Sequence, residues 1–109
     1  MYVRIVTFSL NGPTDEQYRN RAAAIADMFN AWPGLQAKLW LADEAENRYG
    51  GIYLFVNQAA AQASRSTPLF GEIVADTSFA DLRIDEFEIL DTPSEITARR
   101  VLRASAVPA

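Results

Sequence analysis

The residues best equipped for chemistry in this chain alternate along two short apolar stretches. In Leu35-Gln36-Ala37-Lys38-Leu39-Trp40-Leu41, Lys38 and Trp40 share one parity; in Gly51-Ile52-Tyr53-Leu54-Phe55-Val56-Asn57, Tyr53 and Phe55 share one. On a β-strand one parity is one face, so an ammonium, a phenol hydroxyl and several rings come to a common surface. Phe8 and Arg4 extend this set on a first strand, and Arg83 on a last one. The rings of Phe8, Trp40, Tyr53 and Phe55 can wall a flat apolar molecule. Lys38 can hold an anion; if desolvated, its pKa falls and it can take the proton of an acidic hydroxyl. The Tyr53 hydroxyl can orient an oxygen atom, and Arg4 or Arg83 can supply a second positive charge. Each residue also has a plainer use. Trp40 and Phe55 can be core, Lys38 can snorkel to the sheet rim, and Tyr53 can satisfy a backbone carbonyl. Arg4 and Arg83 can pair with Asp85 or Glu86.

Composition removes several alternatives. The 109 residues contain no cysteine and no histidine. Disulfides, thiolate metal sites, cysteine nucleophiles, imidazole bases and histidine-ligated haem are therefore excluded. A net charge of −4 disfavours nucleic acid and anionic membrane as partners. The acidic groups Asp43-Glu44-Glu46 and Asp85-Glu86-Glu88 lack calcium-loop spacing and read as a solvated hairpin tip and strand edge. No metal and no cofactor is expected. No apolar run approaches the roughly 20 residues that span a bilayer, and Met1-Tyr2-Val3-Arg4 leads into a strand rather than a signal peptide. The expectation is a soluble, cytoplasmic protein.

The positioning elements follow from periodicity and breakers. Tyr2 to Ser9 reads as a strand, ended by Asn11-Gly12-Pro13. Thr14 and Gln17 form a capping box. Tyr18, Ala22, Ile25, Phe29 and Trp32 make one apolar helical stripe, and Pro33-Gly34 stops it. Strands over about 35–42 and 49–56 pair as a hairpin across an acidic turn. Asn57 caps an alanine-rich helix, interrupted at Ser66-Thr67-Pro68, and a short helix runs over 68–75. A last strand over 79–90 changes phase between Leu82/Ile84 and Phe87/Ile89, which fits either a bulge near Asp85 and Glu86 or a strand that leaves the helix-covered part of the sheet and buries its other face against a partner. Residues 91–100 carry turn and helix signals. The whole, 1–109, is a single domain with a loose tail over about 98–109.

The order β-α-β-β-α-β predicts a ferredoxin-like α+β sandwich with both helices on one face. The aliphatic parity (Val3, Ile5, Leu35, Ala37, Leu39, Leu41, Ile52, Leu54, Val56) is expected beneath the helices, which leaves the aromatic parity bare. A bare aromatic face admits two uses. One is base stacking, as in RNA-recognition domains, with Phe8 as a stacker and Arg48 to Phe55 as a loose motif; the acidic charge argues against it. The other is burial against a second copy.

Trp32-Pro-Gly-Leu-Gln-Ala-Lys-Leu-Trp40, followed by Gly50-Gly-Ile-Tyr-Leu-Phe55 and closed by Asp91-Thr-Pro-Ser-Glu-Ile-Thr97, resembles the YdhR-type mono-oxygenases. That family belongs to the antibiotic-biosynthesis mono-oxygenase-like superfamily, and the resemblance spans about residues 2–97. It implies a homodimeric α/β barrel built from two such sandwiches. It also implies oxygenation of a small hydrophobic, aromatic molecule such as a phenol or hydroquinone, without flavin, haem or metal. On that reading Lys38 and Tyr53 are catalytic, and Phe8, Trp40, Phe55, Arg4 and Arg83 bind substrate. A non-catalytic ligand-binding or stress-associated dimer is the alternative within the same superfamily.

Overall fold

Four strands and four helices account for most of residues 1–100, the part of the chain that the computed structural model describes. Most of the expected tail, 101–109, lies outside the described residues. The order is β1 (Tyr2–Leu10), α1 (Asp15–Ile25), a 3₁₀ helix (Ala26–Ala31), β2 (Leu35–Asp43), β3 (Arg48–Phe55), α2 (Gln58–Ser64), α3 (Pro68–Ala75), β4 (Phe79–Glu88) and α4 (Asp91–Thr97). The strands form one antiparallel sheet in the order β2-β3-β1-β4, the ferredoxin-like arrangement.

The local signals act as read. The Thr14 hydroxyl accepts from the Gln17 N–H while the Gln17 side chain accepts from the Thr14 N–H. Asn57 caps α2 through the Ala60 N–H, and Pro68 occupies the first turn of α3, where its missing N–H costs nothing. The stripe from Tyr18 to Trp32 is not one helix. After Ile25 the chain tightens into a 3₁₀ helix, so Phe29 and Trp32 reach the sheet from a short second rod.

The sheet pairing sorts side chains into rows. On one face run Glu86–Arg4–Tyr53–Lys38 and Ile84–Val6–Gly51–Trp40; on the other run Phe87–Val3–Leu54–Ala37 and Asp85–Ile5–Ile52–Leu39. The helices cover the first of these faces. Arg4, Val6, Phe8, Tyr49, Tyr53 and Phe55 are buried, together with Tyr18, Phe29 and Trp32 from the elements above. The second face is the bare one, with Leu39 55% and Phe87 54% exposed. This reverses the expected assignment, in which the aliphatic parity lay under the helices. The large rings supply the volume that fills the space between sheet and helix layer, while the smaller aliphatic chains are left outside.

Two irregularities tune the register. Leu35 pairs with Phe55 and Ala37 with Leu54, so one extra residue at Gln36 places Leu35 inside and Ala37 outside. On β4 the register slips between the partners of Thr7 and Ser9, beside Asp81 at φ 53°. The bulge expected near Asp85 and Glu86 is not there: β4 pairs with β1 without a break from Arg83 to Glu88, and Leu82 and Ile84 lie on the covered face while Phe87 lies on the bare one. Phe79 and Leu82 both reach the covered side because the bulge falls between them.

At Gly50 the neighbouring strand leaves no room for a side chain: a Cβ there would lie 1.9 Å from the Val6 carbonyl oxygen. Gly50→Ala must push β3 away from β1. The expected loss is about 1–3 kcal/mol, read from the midpoint of urea unfolding; an unchanged midpoint would show that the strands part freely.

Candidate active site

Beneath the helices lies a narrow cavity of about 40 Å³. β2 and β3 give Lys38, Trp40, Gly51 and Tyr53; α1 and the 3₁₀ helix give Tyr18 and Phe29 from above. No aspartate or glutamate lines it. Its walls are otherwise apolar, with Val6, Phe8, Ala22, Ile25, Ile73 and Phe79 contributing. Arg21 touches one end, but its guanidinium is engaged by Asp76 and Ser78.

Lys38 is the chemical centre of this space, and it is the only lysine in the chain. Its Nζ lies 3.4 Å from the Trp40 ring centroid, 3.5 Å from that of Phe29 and 4.6 Å from that of Tyr53. Among the described residues no carboxylate pairs with it. Burial pushes its ammonium down to about 7, while the π faces around it favour the cation. Gly51 makes the room, since a Cβ there would stand 3.1 Å from Lys38 Cε. Tyr53 crosses from Lys38 to Arg4 on the same row. Burial raises its hydroxyl pKa, against the opposing charge of Arg4. Burial likewise raises that of Tyr18. Neither hydroxyl makes a hydrogen bond to a described residue.

Arg4 does not reach the cavity. It is 1% exposed and fully engaged: Nε donates to Glu86 at 2.6 Å, Nη1 to the Ser64 hydroxyl and Nη2 to the Ala61 carbonyl. Burial would raise the Glu86 pKa, but hydrogen bonds and charge from Arg4 and Arg65 outweigh it and hold the carboxyl low. This network clamps β1 and β4 to α2. Phe55, fully buried, stacks with Trp32 and Tyr53 as core. Arg83 lies on the opposite, bare face, 75% exposed and paired with Asp85. Of the seven residues singled out from sequence, Lys38, Tyr53, Trp40 and Phe8 therefore meet at the cavity, and Arg4, Phe55 and Arg83 do not. The pairing of Arg4 with Glu86 and of Arg83 with Asp85 is the plainer use anticipated for both arginines. Base stacking loses its surface, because Phe8, Tyr53 and Phe55 lie under helices.

Tyr18 and Phe29 were missed as site residues. Their signal was the stripe on the first helix, which reads as core until the covered face is known.

Trp40 lines both this cavity and two wider grooves between β2 and the α1 region. One groove, of about 270 Å³, runs along Ala22, Ala23 and Ala26; the other, of about 450 Å³, runs along Asp27, Asn30 and Lys38. Trp40→Ala should join all three spaces. An apolar dye such as ANS is then expected to bind at least about tenfold more tightly, and unchanged dye affinity would mean that the indole is not the partition.

The sequence matches the family model described as "Putative mono-oxygenase ydhR" over residues 3–100. The chain belongs to that family. YdhR-family membership over nearly the whole length agrees with the fold, and solved structures share it. One is a MhuD variant with two manganese protoporphyrin IX molecules bound per active site (22% identity, TM-score 0.67, covering 84% of this chain and 98% of that one). SnoaB, a cofactor-independent oxygenase from Streptomyces nogalater, is 18% identical, with TM-score 0.67 and coverage of 84% and 94%. A "putative antibiotic biosynthesis monooxygenase" from Deinococcus radiodurans is 16% identical, with TM-score 0.66 and coverage of 84% and 95%. At these identities the likeness establishes the fold of this YdhR-family chain. No curated protein matches it. Among the described residues no helix is long and apolar enough to cross a membrane, and no three acidic side chains gather as a metal site.

Proposed function

We propose that this protein is a cytoplasmic, homodimeric, cofactor-independent mono-oxygenase whose substrate is a small flat phenol or hydroquinone held between sheet and helices of one chain. The observation that carries the reading is the polar set of the cavity. Lys38, Tyr53 and Tyr18 line an apolar space that no aspartate or glutamate lines, and the ammonium has no ion-pair partner and neither hydroxyl a hydrogen bond among the described residues. Such a set suits a ligand that brings oxygen atoms and becomes an anion. The family supports the reaction class, and an oxygenase of the same fold works without a cofactor.

The residues divide the work. Neutral Lys38 takes the phenolic proton, and the resulting ammonium holds the phenolate beside it. The electron-rich anion gives one electron to dioxygen, and the radical pair closes a C–O bond as a hydroperoxide. Loss of water then leaves a carbonyl, so that phenol and O₂ become quinone and H₂O. The rings of Trp40, Phe29 and Phe8 exclude water from these intermediates. At about 40 Å³ the cavity holds little more than a water molecule. For a ring to occupy it, the indole of Trp40, which borders both grooves, has to turn aside.

Incubation with a panel of hydroquinones and phenols under ¹⁸O₂ tests the proposal. One labelled oxygen atom in the product, with turnover above buffer, is the expected result. Binding without turnover across the panel would leave a ligand-binding module instead.

A further inference from the structure

We propose that Lys38 captures aromatic aldehydes as a reversible imine, an activity separate from oxygenation. The Nζ lone pair adds to the aldehyde carbon, and the carbinolamine loses water. Both nitrogen protons leave with the carbonyl oxygen, C=O becomes C=N, and no oxidant or reductant is consumed.

Four observations carry this. Lys38 is the chain's only lysine, the other cationic side chains being arginines. The remaining primary amine, on Met1, sits at the surface beside Asp91. Next, the Nζ is ringed by Phe29, Trp40 and Tyr53 and is held by no carboxylate among the described residues. An amine without a fixed hydrogen-bond partner keeps its lone pair free for addition. Third, Lys38 lines the roughly 450 Å³ groove as well as the cavity, so a flat carbonyl compound too large for the inner space reaches it from outside. Fourth, a protonated imine keeps a positive charge where the ammonium was, against the same π faces; a conjugated aromatic imine adds a planar group that those rings can stack.

The charged and titratable neighbours are Tyr18 and Arg21 from α1, Asp27 from the 3₁₀ helix and Tyr53 from β3. Arg21 is neutralised by Asp76, and Asp27 accepts from Asn30. Neither pairs with the amine. The downward push of burial on the ammonium adds to this picture by leaving much of the amine neutral at pH 7.

The test uses the wild-type chain under argon, so that its failure is independent of any oxygenation. Protein is treated with benzaldehyde and sodium cyanoborohydride at pH 7, folded and in guanidinium chloride, and the benzyl group is located by peptide mass mapping. Lys38 is expected to be labelled at least about tenfold faster in the folded protein, because an unfolded lysine is almost wholly protonated at that pH. Equal or slower labelling in the folded protein, or label confined to the Met1 amine, would overturn the proposal.

Discussion

Lys38→Met is expected to yield a protein that is more stable and nearly inactive. Methionine fills a similar volume, contacts the same rings and brings no charge. The stability sign follows from linkage. Folding lowers the Lys38 pKa to about 7, against about 10.4 in an unfolded chain. Between those values the unfolded state binds more protons, so wild-type stability rises with pH. Below about 7 both states are protonated and the full cost of the buried cation remains. At pH 7 that cost is close to complete, less what the ring faces return, and its removal should gain roughly 2 kcal/mol. The gain should vanish above pH about 10. Urea unfolding at pH 7 and pH 10 reads both; a variant less stable than wild type at pH 7 would show that the ring contacts outweigh desolvation.

Activity moves the other way. Loss of a positioned base costs about 10²–10⁴ in rate, so kcat/KM should fall by that factor. In the wild type kcat/KM should climb with pH and level off above about 7, because the neutral amine is the form that accepts the phenolic proton. The variant should lack that inflection. Stability gained together with activity lost is the mark of a group kept for function rather than for folding. A plain snorkelling lysine would move neither quantity this way.

The sequence made the strands, the caps and the ferredoxin-like order legible, because alternation and breakers are local signals. It did not reveal which face of the sheet the helices cover. Both parities are apolar, and alternation separates two faces without assigning an inside. Arg4 misled most: a charged residue in the aromatic parity read as solvent-facing. It is instead the most buried cation in the described chain, made tolerable by Glu86, Ser64 and the Ala61 carbonyl. The bulge at Gln36 was equally hidden, since it moves Leu35 across the sheet without disturbing the local pattern. Lys38, Tyr53, Trp40 and Phe8 were found because chemistry and parity pointed to the same four residues. The proposed chamber, however, moves from between two copies to the interior of one. Arg83 goes to the bare side with Asp85, leaving Lys38 as the cavity's one cation without a carboxylate partner among the described residues.

That reversal moves the proposed dimer contact to the aliphatic face, and makes Leu39→Asp the substitution expected to split it. The outer rows place Val3, Ile5, Ala37, Leu39, Ile52, Leu54 and Phe87 on one uncovered surface. A contiguous apolar sheet face of this kind is the signature of an interface. A two-fold axis would bring the same patch from each copy together. Leu39 is 55% exposed in the single chain, so Leu39→Asp costs an isolated chain little. In the dimer the same change buries an unpaired carboxylate twice, once per copy, at about 3 kcal/mol or more each. Wild type is expected at twice the chain mass by light scattering, and the variant at one chain mass with its circular dichroism intact. Trp40→Ala, whose change lies on the opposite face of the sheet, should remain dimeric. A wild type that is monomeric at micromolar concentration, or a Leu39→Asp variant that stays paired, would show that the aliphatic face is not where two copies meet.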